Sequence, residues 1–129
     1  MSELKDLVPD LELCRMIPAG KFEHTALVWA NSLREGVKIC PRIFIDGDGC
    51  EHHYEGIPAP TFTEIILAIS TLEILNEKAI GIIYGLYFDL IYHKWVFEMA
   101  GYSAAADDPT TAALIYWLKM ETKARRGER

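Results

Sequence analysis

The stretch from Gly56 to Leu75, GIPAPTFTEIILAISTLEIL, constrains the fold more than any other part of this chain. Thr61 followed three residues later by Glu64 is a capping box, in which the two side chains satisfy amides that the first helical turn leaves unpaired. Phe62, Ile65, Ile66, Ile69 and Leu72 then recur on one helical face. The spacing predicts a helix starting at Thr61 and ending near Asn76. Its apolar stripe has to be buried against other elements, and most of the signals around it have the two-residue period of strands.

Upstream, PDLELCRMI reads as a short helix with Pro9 in its first turn, stopped by Pro18 and Gly20. TALVWA, residues 25–30, reads as a strand and NSLREG as the loop after it. VKICPRIFI, from Val37 to Ile45, reads as a second strand. Pro41 cannot donate to a ladder, so this strand lies at an edge, is bulged, or begins after Pro41. DGDG is a turn, and CEHHYEG returns as a third, mostly polar strand. Downstream, AIGIIYGLYF and IYHKWVFEM are expected as two strands around a turn at Asp89, with Ile91, His93, Trp95, Phe97 and Met99 sharing one face. Asp108 and Pro109 open a final helix with Ala113, Leu114, Trp117 and Leu118 as its apolar stripe. The order α-β-β-(β)-α-β-β-α gives an α+β class, with an antiparallel sheet of four to five strands and helices packed on one face. PTFTEIILAI and PTTAALIYWL each start a helix at Pro-Thr after strands, which raises the question of two ββα halves.

The 129 residues are one domain's worth, so residues 1–129 are expected as a single domain, with 123–129 a frayed basic tail. The formal charge is −6, and the only basic cluster is KARRGER at the C-terminus. A phosphate-tracking surface needs a basic stripe, so nucleic acid is not expected as a partner. Three cysteines do not make an even disulfide framework, and no signal-like segment is recognised, so the expected compartment is the cytoplasm. AIGIIYGLYF stops at Asp89, too short to cross a bilayer.

The densest chemistry lies in DGDGCEHH, residues 46–53. A calcium loop starting at Asp46 needs glycine at its sixth position and a bidentate glutamate at its twelfth, where this chain has Glu51 and Ile57. For zinc, Cys50 and His52 would point one way along a strand and His53 the other. The rest of the set would come from Cys14, Cys40, His24 or His93, with no ligand pair at zinc-finger spacing. Two Asp-Gly pairs between strands are also what a hairpin turn requires, because glycine takes positive φ without steric cost. The turn is preferred, with no metal and no cofactor expected; Cys50, His52 and His53 remain the alternative metal reading. Cys14 and Cys40 read as small core hydrophobes, and nothing in the sequence marks Cys50 as activated. His93 reads as a core or semi-core histidine and His24 as exposed. Asp107 and Asp108 suit a helix cap. No phosphate loop, nucleophile elbow or zinc-protease helix is found, so no catalytic residue is assigned. Among the aromatics, Trp29, Tyr54, Tyr92 and Trp95 are candidate partner contacts, since Tyr and Trp anchor protein interfaces.

LVPDLELCRMIPAGKFEHTALVW, GIPAPTFTEIILAI and DDPTTAALIYWLKM taken together resemble a group of small uncharacterised proteins encoded in phages and prophages of anaerobic, gut-type bacteria. The resemblance touches the beginning, middle and end of the chain; the apolar AIGIIYGLYF segment departs from the group's pattern. It implies a bacterial or phage context and carries over no activity. The expectation is therefore a non-enzymatic, phage- or prophage-derived accessory protein, acting as an interaction module for a host or phage protein and not at a membrane. The alternatives are a small metal-dependent enzyme or metal-binding protein using Cys50 and His52, and a homodimer through the edge strand near Pro41 or through exposed aromatics.

Overall fold

A computed structural model describes residues 4–32, 36–72 and 84–125. By its internal contacts the chain divides into two compact units, Met1–Thr61 and Phe62–Arg129. The α+β class is as expected. Among the described residues, however, the strands are distributed over three antiparallel sheets of three, two and three strands, not gathered into one sheet of four to five.

In the first unit a single 3-10 turn, Leu4–Leu7, precedes a one-turn helix, α1, Leu11–Cys14. Asp10 caps that helix, its carboxylate accepting the Leu13 N–H at 2.9 Å. Pro9 therefore lies before the cap and not in the first turn. Three strands follow in the order β2-β1-β5: β1 Leu27–Ser32, β2 Gly36–Pro41 and β5 Ile57–Pro58. β1 is central, and both its faces are buried. Leu27 clusters with Val8 and Ala59, with Trp29 and Ile39 packed against them, while Val28 and Ala30 cluster with Cys40 on the other face. That double burial explains why LVWA is a continuous apolar run and not an alternation.

β2 ends at Pro41, opposite Leu27, and lies at the edge of its sheet, as a proline requires. One residue later the chain starts a separate two-stranded ribbon, β3 Ile43–Ile45 paired with β4 Glu51–His53. Arg42 is the junction. Its N–H donates to Ala26 O at 2.9 Å, still within the first sheet, and its carbonyl accepts the Tyr54 N–H at 2.8 Å, already in the ribbon.

The second unit begins with α2, Phe62–Ser70. Ile65, Ile69 and Leu72 are buried, in line with the predicted stripe. The helix stops six residues earlier than the expected Asn76: Ser70 and Thr71 turn their hydroxyls back onto the Leu67 and Ala68 carbonyls, competing with the helical ladder. Asn76 itself and the start of AIGIIYGLYF lie outside the described residues. A meander follows, β6 Gly85–Asp89, β7 Lys94–Met99 and β8 Tyr102–Ala106. β8 is absent from the sequence reading. Ala100 and Gly101, with φ of 54° and 84°, make a two-residue turn closed by the Met99–Tyr102 pair. The small Ala104 and Ala106 stand opposite Phe97 and Trp95, so the final helix α3, Pro109–Arg125, can approach the sheet closely. α3 lies against β7 and β8 and also packs with α2, so Ala112, Ala113, Leu114, Tyr116, Trp117 and Met120 are all buried. Asp108 caps this helix through the Thr111 N–H at 2.8 Å and the Thr111 hydroxyl at 2.7 Å, the capping role expected of it. α3 runs through Lys123 and Ala124 to Arg125, with Lys123 over the Tyr102 ring at 5.1 Å; residues 126–129 of the expected tail lie outside the described residues. α2 belongs to the second unit, and among the described residues of the first unit no equivalent long helix is found, so a ββα repeat does not describe the two.

Candidate functional site

The β3–β4 ribbon is where chemistry and exposure coincide. Its turn is built from Asp46. The backbone closes through Asp46 N–H to Cys50 O at 3.0 Å and Gly49 N–H to Asp46 O at 3.1 Å, with Gly49 at φ 83°. One carboxylate oxygen, Oδ1, accepts the Asp48 and Cys50 N–H groups at 2.9 and 3.0 Å. The other, Oδ2, lies 2.8 Å from His52 Nε2. The His52 contact, then the Cys50 and Asp48 amides, hold the Asp46 carboxyl below its ordinary range. DGDG is thus a hairpin turn, with Asp46 bracing both the turn and β4.

Period two separates the other polar groups. His52 pairs with Phe44, their rings 6.1 Å apart, whereas His53 and Glu51 project from the opposite face, 3.6 Å from each other. The alternative set of Cys50, His52 and His53 is therefore not brought together. Among the described residues no three His, Cys, Asp or Glu side chains gather as metal ligands.

Ile43, Phe44 and Ile45 are 48, 47 and 64 % exposed, so among the described residues the ribbon leaves apolar side chains partly open to solvent on both faces. Two strands alone are marginal in water, and this ribbon carries three large, half-exposed apolar side chains in a row. Asp48, Glu51 and Glu55 are exposed around them, and Tyr54, 42 % exposed, extends the surface at its base.

The remaining candidates divide plainly. Trp29 packs in the core of the first unit. Its indole Nε1 is buried without a hydrogen-bond partner, close to the Cys14 thiol. Burial pushes the Cys14 thiol up to about 11, opposed by that indole and reinforced by Asp10; the thiol meets Pro9 O at 3.5 Å. Cys40 is also buried and Cys50 exposed. Trp95 is half-buried, edge-on to Phe88 at 5.5 Å. Tyr92 is 75 % exposed at the β6–β7 turn, beside Leu90 and Ile91, and the Asp89 carboxylate fixes that turn by accepting the Ile91 and Tyr92 N–H groups. His93 corrects the sequence reading: it is an exposed turn residue at φ 53°, not a core histidine on a strand face, because β7 begins only at Lys94. Asp107 pairs with Lys94. The exposure of Ile43–Ile45 and of the Leu90–Tyr92 turn has no sequence signal of its own, since apolar strand residues are ordinarily buried. No helix among the described residues is long and apolar enough to cross a membrane.

No protein-family model matches the chain, and neither does any curated protein or solved structure.

Proposed function

We propose that this protein is a non-enzymatic interaction module that docks its β3–β4 ribbon onto a protein partner with an apolar, basic surface. The observation that carries the proposal is the trio Ile43, Phe44 and Ile45, exposed on a two-stranded ribbon. A partner that covered them would remove apolar area from water at ~25 cal/mol per Å². The carboxylates of Asp48, Glu51 and Glu55 around the trio select for Lys or Arg in that partner and repel a polyanion, in keeping with the net charge of −6. The Asp46 brace holds the ribbon in shape before contact, which lowers the ordering cost of binding. The resemblance to phage- and prophage-encoded proteins fits a host or phage protein as the partner. Phe44→Ser combined with Ile45→Ser tests the reading, since exposed substitutions cost within about 0.5 kcal/mol of stability. The immobilised double variant should lose a protein that the wild type retains from host extract, while Met16→Ser, at an equally exposed apolar residue outside the ribbon, keeps it. Equal retention by all three would contradict the proposal.

A further inference from the structure

The ribbon holds two of the chain's four histidines, His52 and His53, and each is set against a carboxylate on its own face. On one face His52 stands across from Phe44, and its Nε2 lies 2.8 Å from Asp46 Oδ2. On the other, His53 stands across from Ile43 and Glu51 across from Ile45, with His53 Nε2 3.6 Å from Glu51 Oε1. Directly opposed residues of an antiparallel pair share a face. The apolar residues and the titratable pairs therefore form the same patch, face by face. Both imidazoles are half exposed or more, at 51 and 62 %, and so are open to protons from solvent.

Histidine is the side chain whose charge ordinarily changes between about pH 5 and 8. Residues 43–55 carry Asp46, Asp48, Glu51 and Glu55 and no Lys or Arg, so the segment has a formal charge of −4 with neutral histidines and −2 with both protonated. β3 contributes only Ile43, Phe44 and Ile45, so nothing across the ribbon offsets this change. The other titratable groups of the segment are the Cys50 thiol and the Tyr54 hydroxyl, and thiols and phenols ordinarily ionise only above about pH 8. Arg42, at the base, is turned towards Thr25, its Nε donating to Thr25 O at 2.7 Å and its Nη2 to Thr25 Oγ1 at 3.1 Å. Among the described residues no charged side chain from another element pairs with either histidine. Protonation of His52 also leaves the turn braced. It makes the contact with Asp46 a charge-assisted one, and the Asp46 carboxyl, held below its ordinary range first by His52 and then by the Cys50 and Asp48 amides, stays ionised in mild acid.

We propose that His52 and His53 make docking of the ribbon pH-dependent: proton uptake by both halves the charge that selects a basic partner, which is released in mild acid while the ribbon stays folded. This rests on the docking of the ribbon and adds a regulation of the same surface. The test has two parts. First, NMR of the full chain between about pH 7.5 and about pH 5.5 follows the His52 and His53 ring protons and the cross-strand Overhauser contacts between Phe44 and His52. Both rings should take up a proton while those contacts persist. A ring that stays neutral would overturn the proposal, and so would a ribbon that opens as the rings titrate. Second, binding to an immobilised peptide of alternating lysine and leucine, a defined apolar and basic surface, is measured at the same two pH values. The wild type should bind about fivefold more weakly at the lower pH, the worth of two exposed charge pairs. His52→Gln combined with His53→Gln retains an amide donor for Asp46. It should bind like the wild type at the higher pH and lose the pH dependence, whereas His24→Gln, at an exposed histidine off the ribbon, keeps it. An equal pH dependence in the double glutamine variant would overturn the proposal. Equal binding at the higher pH by the wild type and by Phe44→Ser combined with Ile45→Ser would overturn the docking itself, whatever the histidines do, and this proposal with it.

Discussion

Phe97→Ala removes the ring around which the second unit is assembled. Phe97 is fully buried on β7, with the Tyr116 ring of α3 at 5.0 Å edge-on and the Tyr84 ring stacked at 5.3 Å. An aromatic side chain buries ~150–250 Å², and at ~25 cal/mol per Å² that is ~4–6 kcal/mol of transfer free energy. Truncating to alanine keeps a small part of that area and leaves a cavity. Measured phenylalanine truncations cost ~3–5 kcal/mol, consistent with this estimate. The two aromatic pairs, at ~0.5–1.5 kcal/mol each beyond area, bring the expectation to the upper half of that range. Against a total stability of ~5–15 kcal/mol, the loss is large enough to leave a measurable unfolded population. Urea denaturation followed by tryptophan fluorescence reads it directly, and Phe97→Leu should recover more than half. A cost below about 1.5 kcal/mol with an unchanged denaturant slope would refute the enclosed-ring geometry.

Tyr116→Phe deletes the hydroxyl that donates to Met99 O at 2.7 Å and leaves that carbonyl without its partner, a loss of ~1–2 kcal/mol by urea denaturation. In the wild type, burial pushes the Tyr116 hydroxyl up to about 12. Its contribution should therefore be complete below the ordinary value of 10.0 and be lost as pH rises towards 12, read as one late-titrating tyrosine at 295 nm. Asp46 works in the opposite direction. Its carboxyl is lowered, so the ribbon's stability is present above the ordinary 3.8 and lost as pH falls through the lowered value. Asp46→Asn should flatten the acid dependence of the Cys50 amide shift. Iodoacetamide at neutral pH should label Cys50 alone in the native protein, with Cys14 and Cys40 reacting only after unfolding. Protein purified without a histidine tag and without chelators should contain no stoichiometric zinc, because the Asp46 contact occupies His52 Nε2 and His53 projects from the other face.

What was legible in the sequence were the points where local chemistry decides the backbone. Thr61 before an apolar stripe, Asp108-Pro109 before another, Gly49 in an Asp-Gly turn and Pro41 at a strand edge each act through their own φ preference or hydrogen bonding, and each appears where expected. What was not legible depends on distant residues. YSAAA has no strand propensity of its own; it is a strand because the Ala100-Gly101 turn folds it back onto β7 and its small side chains admit α3. IYHKWVFEM has an uninterrupted two-residue period, yet its first three residues are a turn, because Asp89 captures the Ile91 and Tyr92 amides. The DGDG turn and the strand after it are where expected, but VKICPRIFI, read as one strand from Val37 to Ile45, is two strands in different sheets, divided at Arg42. The change of partner at Arg42, whose N–H stays with Ala26 while its carbonyl takes the Tyr54 N–H, is a tertiary arrangement that no local pattern encodes.

A photo-crosslinking amino acid placed at Ile45 in the full chain, expressed in its host, reads whether the Ile43–Ile45 face of β3 meets the proposed partner. A discrete covalent adduct at position 45 is expected, lost when Ile43, which shares that face, is serine, and weakened by added salt through the surrounding carboxylates. No such adduct is expected from the same probe at Met16. An adduct at both positions alike, or at Met16 alone, would contradict the docking of the ribbon, as would an Ile45 probe that yields only uncrosslinked chain.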